Sequence, residues 1–319
     1  MMKALFFLFS YCFIIQSFAQ DPFSKDAARQ KALPTSEFNI NQNIKGTLKI
    51  VESNRPSPLV IFVPDQGVVD RNGNDMRSRH YAYQQLADSL FERGVSSYRY
   101  DKRTFTQVKN RRVDNNTLFD DFFMDLKKVI ASLADDNRFS KIILLGHGQG
   151  SLVSMLALDQ DIDGFISIAG SALPIDDVIV EQIKLQQPGL DKVARATFDQ
   201  VKSQDKVVND VERDLMSILN PSIQPFMKSW MQYNPEKLAQ EINLPVLVLH
   251  GSKDRQVNTR QADLLHAAFS NSELKVIDNM NHIFKIVGND EVVASKSYID
   301  PNFPINKKLI NVVTAFAKE

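Results

Sequence analysis

Ile142-Ile143-Leu144-Leu145-Gly146-His147-Gly148-Gln149-Gly150 is the stretch that decides the fold. Its apolar, partly β-branched start predicts a buried strand over 141–145, and residues 150–158 predict a buried helix. A strand that turns sharply into a helix is the setting of the G-x-S-x-G motif, whose apex serine is a nucleophile. The turn is so tight that the residues two before and two after the apex must lack side chains. Gly146 and Gly150 meet that condition. The apex is Gly148, so the strained backbone is accommodated but no Oγ is present. Taken alone, the segment reads equally as a glycine-rich turn with no catalytic history, or as one that cradles phosphate.

Outward from this turn the pattern alternates. Strands are predicted at 59–63, 96–100, 164–168, 244–249 and 273–278. Helices are predicted at 80–93 (ending at Gly94, a C′ glycine), 117–134, 257–269 and 306–318. Strands alternating with helices imply an α/β fold: a mostly parallel central sheet with helices on both faces. The rhythm stops between 172 and 240, where polar amphipathic segments broken at Pro188-Gly189 and Asn220-Pro221 predict a helical cap. Ligands of open α/β sheets bind at the strands' C-terminal edge, which such a cap would cover. The expected organisation is a signal peptide at 1–20, a first part of the core at 21–171 opening with a loose stretch over 21–40, the cap at 172–240 and a second part of the core at 241–319.

The first twenty residues read as an export signal. Lys3 is followed by the apolar run Ala4 to Ile15, and Ser17 and Ala19 stand at the −3 and −1 positions of a cleavage site near Ala19/Gln20. The run falls short of the ~20 residues that span a bilayer, so a secreted or periplasmic protein without a stable membrane span is expected. Cys12, the sole cysteine, lies inside the run behind bulky Tyr11, a poor lipid-attachment context. Its removal leaves no disulfide, thiol nucleophile or thiolate metal site. Lys+Arg and Asp+Glu both count 38, and no basic cluster with interleaved aromatics occurs, so nucleic acid is not an expected partner. His80, His147, His250 and His282 show no ligand spacing in the sequence, and neither a metal nor a cofactor is expected.

Two later motifs bear on the turn. Asp254 follows the strand 244–249, where it also suits the start of the next helix. His282 lies on a loop past the strand 273–278. The order 148, 254, 282 is the nucleophile–acid–histidine order of a hydrolytic triad. With the strand–turn–helix around Gly148, these residues resemble the α/β-hydrolase superfamily, in particular bacterial serine-aminopeptidase-like and esterase-like members. The similarity extends to Asp70-Arg71-Asn72-Gly73-Asn74, Arg99-Tyr100-Asp101-Lys102-Arg103 and Gly170-Ser171-Ala172-Leu173-Pro174-Ile175-Asp176-Asp177.

The resemblance implies a carboxylic ester or amide hydrolase with Asp254 as acid, His282 as base and position 148 as the elbow. It also implies an oxyanion hole from the backbone N–H groups of Gln66 and Gln149. The chain departs from the pattern at Gly148 and at Pro64-Asp65-Gln66-Gly67, where relatives carry a His-Gly or Gly-Ser-Gly type of loop. Asp65 would oppose oxyanion stabilisation, which normally supplies about 3 kcal/mol per donor. Without Oγ no acyl-enzyme forms. The remaining readings are weak hydrolysis by a water that His282 activates in the space left by Oγ, a non-catalytic protein that binds a small molecule or peptide, or a Gly148 introduced by error into an active hydrolase. Ser151, one helical turn past the apex, should point elsewhere. The substrate and the oligomeric state are not legible in the sequence.

Overall fold

A computed structural model describes residues 35–319. The proposed signal peptide and Cys12 lie outside the described residues. The strands are β1 (Ser36–Glu37), β2 (Gly46–Lys49), β3 (Ser57–Val63), β4 (Ser96–Tyr100), β5 (Phe139–His147), β6 (Gly164–Ile168), β7 (Val246–Gly251) and β8 (Ser272–Ile277). They form one sheet of order β1-β2-β4-β3-β5-β6-β7-β8. The first two strands join antiparallel and the rest run parallel. Every residue of β4, β6 and β7 is buried, as expected of parallel strands covered on both faces.

Helices α1 (Ala82–Phe91), α2 (Arg103–Lys109), α3 (Asp120–Ala131) and α4 (Gln149–Ala157) connect the first six strands. Then α5 (Ile175–Gln186), α6 (Leu190–Ser203), α7 (Met216–Leu219), α8 (Gln224–Met231) and α9 (Pro235–Gln240), with a short 3-10 turn at Arg213–Leu215, fill the interval between β6 and β7. The chain closes with α10 (Arg260–Ala268), α11 (Glu291–Ser297) and α12 (Lys307–Lys318).

The sheet separates two apolar layers. One joins Leu59, Ile61 and Leu144 to α3, α4 and the helices between β6 and β7; the other joins Val60, Phe62, Ile143 and Leu145 to α1 and α12. Alternation along β3 and β5 sends successive side chains to opposite layers. Each fully buried Leu, Ile or Phe in these layers contributes about 1.5–3 kcal/mol, which suits a chain whose described residues include no cysteine. No helix among the described residues is long and apolar enough to cross a membrane.

Two local readings are corrected. The stretch expected to be loose over 21–40 contains β1, held by its pairing with β2. The second strand itself was not anticipated, because Gly-Thr-Leu-Lys has no apolar run. It is buried by its neighbours, and Lys49 pairs with Asp88 at its end.

Candidate active site

Strand β5 ends at His147, helix α4 begins at Gln149, and Gly148 between them has φ 51° and ψ −116°. The backbone is that of a sharp strand-to-helix elbow, in a region that residues with side chains reach only under strain. The flanking glycines are needed for space. A Cβ on Gly146 would lie 2.5 Å from the Gly150 carbonyl oxygen, and one on Gly150 would lie 2.2 Å from the Val63 carbonyl oxygen. Ser151 is buried with its Oγ 2.7 Å from Ser167 Oγ, directed into the sheet as expected.

Asp254 and His282 meet. After β7 the chain turns at Ser252 and Lys253, where Asp254 Oδ1 accepts the N–H groups of Gln256 (2.8 Å) and Val257 (3.0 Å). Its other oxygen faces His282 Nδ1 at 2.8 Å. Helix α10 starts only at Arg260, with Thr259 at its N-cap, so Asp254 does not cap it as the sequence suggested. Its Oδ1 instead holds the turn at 254–257 while its Oδ2 faces the histidine.

The space beside Gly148 is filled. Strand β3 pairs with β5 up to Val63 opposite Gly146, so the loop after β3 passes directly over the elbow. There Asp65 Oδ1 accepts the backbone N–H groups of Gln66 (2.6 Å) and Gln149 (2.9 Å), and its Oδ2 lies 2.9 Å from His282 Nε2. A Cβ on residue 148 would fall 2.0 Å from Asp65 Oδ1. The two N–H groups expected to form an oxyanion hole do converge, but onto this chain's own carboxylate. The expectation that a water occupies the space of Oγ is therefore corrected, because a carboxylate is there.

Electrostatics follow from that geometry. His282 is buried, which by itself favours the neutral ring, yet carboxylates on both ring nitrogens outweigh burial and raise its pKa to about 10. Burial likewise acts against the charge of Asp65, but the His282 hydrogen bond and the Gln149 N–H hold its carboxyl well below the usual carboxylate range. Asp254 is shifted down despite burial, by the His282 charge and hydrogen bond. At neutral pH the centre is a carboxylate–imidazolium–carboxylate array, whereas a serine triad needs a neutral histidine to accept a proton.

The array is braced. Tyr83 Oη accepts the Asp65 N–H (3.1 Å) and lies 2.8 Å from His147 Nδ1, while His147 Nε2 is 3.0 Å from the His282 carbonyl oxygen. Burial lowers the His147 pKa to about 4, so this ring is neutral and passes a hydrogen bond from Tyr83 to the His282 backbone. From the end of β4, Lys102 Nζ donates to the Asp65 carbonyl oxygen (2.7 Å) and to Gln149 Oε1 (2.5 Å). Burial pulls its pKa down to about 7, against the charge of Asp65.

Asp65, His147 and His282 also bring possible ligand atoms within 4.8 Å of one another, a cluster that sequence spacing did not disclose. Both nitrogens of each histidine already hold a protein partner, so these residues fit a hydrogen-bonded array better than a metal centre.

A small pocket opens on the array. Asp65, Gly148 and His282 form part of its lining, and Leu152, Leu173 and Trp230 supply much of its apolar wall. Asp65 is the most accessible member, its side chain 14% exposed against 3% for His282 and 0% for Asp254.

Sequence reasoning missed that the Asp65 carboxylate fills the space a side chain at position 148 would need. The available signal was the joint appearance of an acidic residue in the loop after β3 and a glycine at the elbow.

Comparison with known proteins agrees with this architecture. Esterase EstD of Thermotoga maritima is 24% identical over 265 residues, covering 81% of this chain and 62% of that protein. The chain thus spans less than two thirds of that relative. Among solved structures, Est1E from Butyrivibrio proteoclasticus superposes with a TM-score of 0.56 at 15% identity, covering 89% of this chain and 98% of that one. The esterase domain of a Rhodothermus marinus protein gives 0.51 at 16% identity, with 89% and 97% covered. The family model described as serine aminopeptidase, S33, matches residues 76–285, which is more than half of the sequence. With the elbow, the late acid and the late histidine in place on an eight-stranded, mostly parallel sheet, the chain belongs to the serine aminopeptidase S33 family of the α/β-hydrolase superfamily.

Proposed function

We propose that this protein is a hydrolase for a small, largely apolar substrate held beneath the helical cap, and that its chemistry is carried by Asp65 and His282, with Asp254 behind them, without a serine acyl-enzyme. The observation that carries the reading is the placement of the Asp65 carboxylate in the volume that a side chain at position 148 would need. Carboxylic ester and amide hydrolysis, the activities the family implies, are then weak. Both oxyanion donors are engaged by Asp65 Oδ1, and His282 enters the cycle already protonated. Each missing donor in an acyl-transfer site costs about 3 kcal/mol.

The filled oxyanion hole also favours a second reading, a non-catalytic protein that binds a small molecule or peptide in the capped pocket. Export by the signal at 1–20 is part of the proposal and places the protein outside the cytoplasm.

The test combines labelling and kinetics. The wild-type protein should resist a serine-directed fluorophosphonate and hydrolyse p-nitrophenyl butyrate only slowly. Rapid covalent labelling at this site would sink the proposal. Turnover of some small substrate that disappears in Asp65→Asn and His282→Gln supports the enzyme reading. Ligand binding that survives both substitutions, with no turnover of any ester, amide or epoxide tried, supports the binding reading.

A further inference from the structure

We propose that Asp65 is itself the nucleophile: its Oδ2 attacks a saturated carbon of a small epoxide, the ring C–O bond breaks, and the ring oxygen takes the Nε2 proton of His282, leaving an aspartyl alkyl ester. This rests on the reading that Asp65 and His282 carry the chemistry, and names the reaction and substrate class for that pair.

Geometry separates acyl carbon from saturated carbon as the target. Attack on an ester carbonyl would place a new oxyanion on the substrate and require free donors for it. The convergent N–H groups of Gln66 and Gln149 are occupied by Asp65 Oδ1, at 2.6 Å and 2.9 Å. In ring opening the charge instead develops on the epoxide oxygen, where the His282 proton meets it, so those two donors are not required in the first step. In the second half of the cycle, water adds to Cγ of the aspartyl ester, and the charge that develops falls on Oδ1. The same two donors are then already aimed at the atom that becomes negative, an arrangement that accelerates acyl chemistry when preorganised.

Proton positions agree with the same order of events. At rest His282 carries its proton between Asp254 at 2.8 Å and Asp65 Oδ2 at 2.9 Å. A proton beside the nucleophilic oxygen suits a substrate whose leaving atom is a basic oxygen bonded to the attacked carbon, which is the geometry of an epoxide. A halide leaving group would not take it. Once the proton has been given up, neutral His282 accepts one from the attacking water. Collapse of the tetrahedral intermediate expels the alkoxide of the aspartyl ester, which takes that proton and leaves as the diol. The carboxylate is restored, and the second proton of the water returns the histidine to its charged form through solvent exchange. The sum is epoxide plus water to diol, with no external oxidant or reductant.

Three features prepare Asp65 for this role. Its main chain is held by Tyr83 Oη and by Lys102 Nζ, so the carboxylate is positioned from both sides. Its side chain is the array member most open to the pocket. The walls beside it, Leu152 and Trp230 among them, are apolar and suit a hydrocarbon substituent on the ring.

The decisive experiment is a single turnover of styrene oxide with excess wild-type protein in oxygen-18 water. The expected result is a diol lacking the heavy isotope and one heavy oxygen on Asp65, located by tandem mass spectrometry of the peptide containing it. Heavy oxygen in the diol with none on the protein overturns the nucleophile assignment, yet leaves the broader reading standing if Asp65→Asn still abolishes turnover. Failure to open styrene oxide and phenyl glycidyl ether overturns the substrate class. If small esters are meanwhile cleaved with fluorophosphonate labelling, the broader reading falls as well. As a second measurement, His282→Gln should form the aspartyl ester only slowly, because ring opening lacks its acid, and then hold it, because the second step lacks its base. An adduct with the mass of one substrate, absent from Asp65→Asn, should build up over long incubation. Asp65→Asn should lower kcat by about 10³-fold or more.

Discussion

Placing a serine at the elbow tests the structure most directly, and the single and double substitutions should diverge. In Gly148→Ser the new Cβ would lie 2.0 Å from Asp65 Oδ1 and 2.5 Å from its Cγ, against the ~3.5–4 Å of ordinary contact. The carboxylate must therefore retreat by about 1.5 Å. It then loses its hydrogen bonds from Gln66, Gln149 and His282, each charge-assisted and worth about 1.5–3 kcal/mol before water recovers part of the loss. Serine at φ 51° adds strain of about 1–3 kcal/mol. Before solvation of the displaced carboxylate these contributions sum to roughly 5–12 kcal/mol, so a fall in Tm of about 10 °C or more is expected for a chain of this size. Asp65→Gly with Gly148→Ser loses the same three hydrogen bonds, but it removes the clash, frees both N–H donors and leaves no displaced carboxylate buried without partners.

The single variant should be the less stable of the two, with a coupling of about 2 kcal/mol or more in a double-mutant cycle. Only the double variant should gain hydrolysis of p-nitrophenyl butyrate, by about 10²-fold over wild type, together with fluorophosphonate labelling and dependence on His282. Thermal denaturation and initial rates on the four proteins check this. Additive stability effects, or a single Gly148→Ser protein as active as the double, would refute the steric argument.

Nitrogen NMR of His282 should show both ring nitrogens protonated at pH 8, with titration near 10. In Asp65→Asn the midpoint should move down, because one of the two stabilising carboxylates is gone. The folded pKa is raised, so the stability contributed by His282 is complete below the ordinary value near 6.5 and is lost as pH rises through about 10. The wild-type minus His282→Gln difference in Tm should shrink across that window, and a difference growing with pH would contradict the ion array. Gly150→Ala should cost at least about 3 kcal/mol or prevent soluble expression, since its Cβ would meet the Val63 carbonyl oxygen at 2.2 Å; a Tm within error of wild type would show that β3 and the elbow are not packed as described. Lys102→Met should leave the fold intact and reduce turnover, because it releases the Asp65 carbonyl and Gln149 Oε1; unchanged kcat would remove Lys102 from the positioning of the array.

Much of the fold was legible because parallel strands buried on both faces announce themselves as apolar runs. Residues 59–63, 164–168 and 244–249 coincide with β3, β6 and most of β7. What escaped notice lacks that signal. The buried strand β2 is half polar, and α2, seven residues long, is too short for periodicity to speak. The site divides in the same way. Gly148, Asp254 and His282 were identifiable because chain order and the strand ends carry that information. The role of Asp65 was not, because it depends on contacts spanning 84 residues to Gln149 and 217 to His282, and on a distance that only the packing of β3 against β5 sets. The sequence marked Asp65 as a charge hostile to an oxyanion. The structure makes it the occupant of the site.

Gly148 and Asp65 depend on each other sterically. An aspartate at 65 cannot coexist with a side chain at 148 unless the carboxylate leaves its three donors. Conversely, glycine at 148 without the aspartate would leave two N–H groups aimed at an empty space and His282 with one acidic partner. Where a serine triad has a neutral hydroxyl that must lose a proton, this pair presents a carboxylate that has none to lose. A base waiting for a serine proton has to begin neutral. An imidazolium between two carboxylates begins charged, so the first thing it can do for a substrate is donate. The resting protonation state of one ring therefore separates serine-type acyl transfer from acid-assisted attack by a carboxylate, and it can be measured before any substrate is known.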